Sequence, residues 1–124
     1  MSASADSVLT LAGQTVLCCA DEGEILSSPA LIMDFIGAAF GAGAEWMALP
    51  VSRLSPDFFQ LRSGLAGEVS QKFVNYQIRL AVVGDIQPWL QQSEALSAWV
   101  RECNRGQQVW FVVDLDELSR RLAA

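Results

Sequence analysis

The chain has 124 residues, the size of one domain with its own core, and 52% of them are apolar, which is rich for a small protein whose surface must largely face water. The formal net charge is −6, with Lys72 the single lysine, seven arginines gathered in no one segment, and no histidine. A nucleic-acid partner lacks its positive footprint, triad hydrolases and metalloenzymes lack their usual residue, and neither a cofactor nor a metal is expected.

"SVLTLAGQTVLCCA" gives two short β-prone runs, Val8 to Leu11 and Gln14 to Cys19, parted by Gly13 as in a tight hairpin. "SSPALIMDFIGAAFGAG" then sets Ser28 at an N-cap and Pro29 at the first helical position. Leu31, Ile32, Phe35, Ile36 and Ala39 fall on one face, and Gly41 and Gly43 stop the helix. "EWMALP" reads as a central strand covered on both faces. "LSPDFFQLR" makes a helical turn from a second Ser-Pro start and breaks at Gly64.

From Leu65 to Tyr76 the apolar positions Leu65, Val69, Phe73 and Tyr76 recur at helical spacing, with Glu68 and Lys72 paired on the opposite face. "IRLAVVGD" is a buried strand spanning Ile78 to Val83. "QSEALSAWVRECNRG" has Ser93 as N-cap and Gly106 as stop. "QVWFVV" supplies the last strand, Val109 to Val113, and "DLDELSRRL" the last helix, with Asp114 and Glu117 in capping-box positions. The order β-β-α-β-α-β-α-β-α predicts one α/β sandwich over residues 1–124. Its mixed, mostly parallel sheet has about five strands and about four helices, and the first hairpin supplies an antiparallel edge.

Cys18, Cys19 and Cys103 form an odd set without CxxC spacing and read as small core hydrophobes in a reducing cytosol. "MSASADSVLTLAG" lacks the basic start of a signal peptide, and no apolar run approaches the roughly 18 residues needed to cross a bilayer. A cytoplasmic protein with no membrane partner is expected. The apolar excess predicts shared surface, with a homodimer as the default.

The "LRSGLAGEV" turn poses the main functional question, because the first N–H groups of a helix lack intrahelical acceptors and carry partial positive charge. Ser63 can cap them, or an anion or phosphoserine can use the same donors, with Arg62 as charge partner and Gly64 and Gly67 allowing close approach. Neither "GLAG" nor "GAGAE" is a nucleotide fingerprint. Asp85 ends a buried strand, where open α/β sheets place ligands, and also suits a turn and helix entry. Asp114 and Asp116 suit a helix start without any metal. Asn75 and Tyr76 end the second main helix and could line a pocket. Of the four tryptophans, Trp89 beside Pro88 is the one expected to be exposed to a partner.

Over nearly the whole chain the runs "GLAGEVSQKFVNY", "RLAVVGDI" and "NRGQQVWFV" resemble an uncharacterised bacterial family, the domain of unknown function numbered forty-one eighty. A more distant resemblance is to the STAS-type domains of anti-sigma-factor antagonists, which share the element order and open their second main helix with a serine-glycine turn. That resemblance implies a STAS-like fold and places Ser63 where antagonists are phosphorylated, with Arg62, Gly64 and Leu65 around it. An aspartate usually precedes that serine; here Leu61 and Arg62 stand before it. Two functions are therefore expected as alternatives. One is a non-catalytic regulatory module meeting a protein partner through the Ser63 surface. The other is a small-molecule or anion site, or an enzyme, using a crevice near Arg62, Ser63 and Asp85.

Overall fold

The computed structural model describes residues 5–124, and the chain folds as one α/β unit. Strands β1 (Ser7–Leu11) and β2 (Gln14–Cys18) pair antiparallel through a two-residue loop. Ala12 and Gly13 both take positive φ, +50° and +81°, the backbone twist that a two-residue hairpin requires. Helix α1 (Pro29–Gly41) starts from Ser28 with proline in its first turn, and strand β3 (Trp46–Pro50) follows. Three 3-10 turns, Val51–Arg53, Pro56–Phe59 and Leu61–Ser63, lead into α2 (Leu65–Asn75). The remainder is β4 (Arg79–Val83), a short α3 (Gln87–Leu90), α4 (Glu94–Arg105), β5 (Val109–Val112) and α5 (Leu115–Ala123).

The sheet order is sequential, β1-β2-β3-β4-β5, with every pair after the first parallel. Right-handed crossovers that always step to the next strand deliver their helices to one face. Accordingly α1, α2, α3 and α4 pack on the side of Leu17, Met47, Leu49, Leu80, Val82 and Phe111. Helix α5 covers the other face. There Leu118 meets Val16, Trp46, Ala48, Ala81, Trp110 and Val112. The alternation of the two residue sets along each strand is the period-two geometry of a sheet buried on both sides.

The observed elements differ from the sequence reading at several places, among them the end of β2 at Cys18 and of α2 at Asn75. "IQPW" contributes a fifth helix, the single turn α3, because Asp85 Oδ1 accepts from Gln87 N–H at 2.9 Å and Pro88 suits a first turn. Ile78 precedes β4, its N–H donating to the Phe73 carbonyl (3.0 Å) in the close of α2. Val113 lies beyond β5 and is 65% exposed. Among the described residues no helix is long and apolar enough to cross a membrane.

Candidate functional site

The carboxyl ends of β2, β3, β4 and β5 open beside the start of α5 onto a cavity of about 470 Å³. Ala48, Pro50, Val83 and Gly84 leave this end of the sheet unfilled. Gly84 takes φ +137°, and a Cβ there would approach Val51 Cγ2 to 3.0 Å, so glycine is required as the chain turns out of β4. The volume lies within the range of ordinary small-ligand pockets, and the carboxyl ends of strands are where open α/β sheets place them.

The polar lining is acidic. Asp21, Asp114 and Asp116 line the cavity and, among the described residues, no lysine or arginine does. Asp114 is the N-cap of α5, its Oδ1 accepting from Glu117 N–H at 2.8 Å, while Glu117 Oε1 accepts from Val113 N–H at 2.8 Å. This reciprocal cap reaches one residue further back than the usual capping box. Asp21 sits in the loop after β2, which Arg53 pins from beneath. The Arg53 Nε donates to the Glu24 carbonyl (2.7 Å) and Nη1 to the Ala20 carbonyl (2.9 Å), and the buried guanidinium lies over the Phe35 ring, 5.5 Å from its centroid. Among the described residues no group of three or more His, Cys, Asp or Glu side chains is placed to hold a metal ion.

Cys18 and Cys19 bring two thiols to the same wall. Burial raises the Cys18 thiol. Burial also pushes Cys19 up to about 12, with the Asp6 carboxylate adding to the rise and Arg53 opposing it. Both are neutral thiols at neutral pH, not thiolate nucleophiles. Cys103, on α4, is likewise raised to about 11 by burial and by Glu102.

The residues singled out in the sequence lie elsewhere. Arg62 and Trp89 line one cleft between the turns before α2 and the α3–α4 segment, and neither Ser63 nor Asp85 lines it. Ser63 is not the N-cap of α2. Gly64 holds that position with φ +81°, and Ser63 stands one residue earlier. Its Oγ accepts from Leu65 N–H (3.2 Å) and donates to the Asp57 carbonyl (2.6 Å). Leu65 is buried, and Asp85 is exposed with one carboxylate oxygen, Oδ1, accepting from the α3 turn. Asn75 accepts from Gln71 on the exposed flank of α2, and Tyr76 meets Phe40 edge to face at 5.9 Å. Trp89 is half-buried like Trp99, because its ring lies flat on Phe59 at 5.0 Å. The strand-end rule that drew attention to Asp85 also applies to the ends of β2, β3 and β5. There it would have pointed to Cys19, Pro50 and Asp114. Arg53 carries no sequence signal, since its partners are backbone carbonyls far along the chain.

No curated protein and no solved structure matches the chain, so the likeness to STAS-type domains has no solved structure behind it. The family model for Domain of unknown function (DUF4180) matches residues 11–122, from the end of β1 almost to the end of α5, and the chain belongs to that family.

Proposed function

We propose that the protein is a non-catalytic binding module whose ligand is a compact organic cation, held in the cavity at the carboxyl ends of β2 to β5. The carrying observation is the lining itself, where the charged side chains among the described residues are the carboxylates of Asp21, Asp114 and Asp116, set around a small apolar floor. Asp21 is half-buried while Asp114 and Asp116 are exposed, and three carboxylates around one cavity favour an ammonium or guanidinium group and repel anions. The protonated thiols argue for binding over catalysis, because each lacks the activation a nucleophile needs. The Ser63 turn supports a ligand or switch less well, its hydroxyl already acting as both donor and acceptor. Free cysteines support a cytoplasmic location.

The test titrates 1,4-diaminobutane and its neutral counterpart 1,4-butanediol by calorimetry. The diamine is expected to bind and the diol not, and Asp116→Asn should weaken the diamine about tenfold, the loss of one charge-assisted contact. Equal binding of the two probes, or an Asp116→Asn affinity equal to wild type, would sink the reading.

Self-association is a second reading with its own observation. Met33 and Phe40 lie seven residues apart on α1, so they share a stripe, and with Tyr76 they form an exposed apolar face whose Phe40 ring is 57% exposed. A second copy related by a two-fold axis is the proposed cover.

A further inference from the structure

At the opposite end of the same sheet face a second cavity, about 340 Å³, opens between the amino ends of the strands and the last turn of α5. Among the described residues its charged side chains are Arg79 and Arg121, no carboxylate side chain lines it, and Leu122 and Ala124 complete the wall at the end of α5. Both guanidiniums are placed by aromatic rings. Arg121 lies over Trp110, 3.9 Å from its centroid, and Arg79 over Trp46 at 5.8 Å, the two indoles themselves meeting at 4.7 Å. A ring orients a guanidinium without neutralising it, and leaves its coplanar N–H edge free to donate. Arg121 spends part of that edge on Asn104, with Nη2 donating to the backbone carbonyl at 2.6 Å and Nη1 to Oδ1 at 3.4 Å. Gln14 adds a further donor. Its Oε1 accepts from Trp46 Nε1 (2.9 Å), which turns its amide nitrogen outward from that bond. The neighbouring Glu45 carboxylate is occupied with the Thr15 N–H at 2.9 Å and does not line the cavity.

We infer that this cavity is a second binding site, independent of the acidic one, and that it takes a small organic carboxylate. The carboxylate oxygens meet the Arg79 fork, with Gln14 and the remaining edge of Arg121 alongside, a donor set that matches a planar two-oxygen acceptor. A neutral amide of the same shape presents donors to donors and is rejected. The two cavities thus divide one sheet face by charge, acceptors beside the start of α5 and donors beside its end.

The four tryptophans make the test internal. Trp110 lines the site and the buried Trp46 donates its indole N–H to the lining residue Gln14, whereas Trp89 and Trp99 pack on the other face of the sheet. Sodium benzoate titrated into the labelled protein should shift the indole N–H resonances of Trp46 and Trp110 saturably and leave those of Trp89 and Trp99 in place. Benzamide should move none. Arg79 is exposed in β4, so Arg79→Gln should melt as wild type does and weaken benzoate about tenfold, while Arg79→Lys should fall between the two. No saturable shift, equal shifts with benzamide, movement of all four indoles together, or an unchanged benzoate affinity in Arg79→Gln would each overturn the inference.

Discussion

Ser63 joins two local structures with one oxygen, closing the 3-10 turn through the Asp57 carbonyl and covering the first N–H of α2. Ser63→Ala removes both bonds at an exposed position and should cost about 1 kcal/mol in urea unfolding. Gly64→Ala should cost a similar amount for a different reason. The added Cβ would meet no atom within 4 Å, so the whole effect comes from forcing a side chain to φ +81°, about 1 kcal/mol. The thiols give a pH signature. A thiol whose pKa is higher folded than unfolded holds its proton longer in the native state, so its stability contribution is intact below the unfolded value and is lost as pH rises toward the folded one. For Cys19 that window runs from about 9 up to about 12. Stability should be flat from pH 7 to 8 and fall above pH 9, by at most about 1.4 kcal/mol per unit for each thiol, with a shallower slope in Cys19→Ala. A thiol reagent at pH 7.5 should react slowly with the folded protein and at once with the unfolded one.

Among the elements, the loop between β2 and α1 depends most on a single side chain. Its residues Ala20 and Glu24 present carbonyls to Arg53, the Leu26 N–H donates to the Arg53 carbonyl at 2.8 Å, and a Cβ on Gly23 would press on the guanidinium at 2.9 Å. Arg53 therefore fixes where the loop carries Asp21. Arg53→Ala strands those carbonyls and should cost about 2–4 kcal/mol. Arg53→Lys keeps the charge, cannot span both acceptors, and should recover only part of the loss. Cleavage after Glu22 or Glu24 by a glutamate-specific protease should quicken in both variants, before any change in overall helicity. Uniform susceptibility across the chain would mean that Arg53 supports the whole fold and not this loop.

For the whole molecule, the sequential sheet leaves β1 as an edge strand whose side chains are exposed except for the half-buried Leu11, while β5 is buried between α4 and α5. The apolar face formed by Met33, Phe40 and Tyr76 lies on neither edge. A two-fold dimer through it should appear as a doubled mass in light scattering at high micromolar concentration, and Phe40→Glu should return the monomer mass without lowering the melting temperature. A wild-type monomer at that concentration, or a dimer indifferent to Phe40→Glu, would remove this face from consideration.

What the sequence determined by itself was local. Ser93 and Asp114 mark helix starts because each side chain caps an N–H three residues on, Ser28 with Pro29 marks one through the proline of the first turn and without a side-chain cap bond, and "WMALP" and "VWFV" announce buried strands because burial on both faces leaves no polar alternation. The element order, and with it the parallel sheet, followed from those signals. Tertiary structure decided the rest. The acidic cavity gathers residues from β1, the loop after β2, β3, β4 and the start of α5, and no local pattern encodes which of them share a wall. The environment of Trp89 was settled by a ring thirty residues earlier in the chain, Phe59. The side taken by α5 was settled by packing, Leu118 closing over Val16, Trp46, Ala81 and Trp110 on the face the other helices leave uncovered. That placement created both cavities, because one helix laid along one face of the sheet leaves the two ends of that face open.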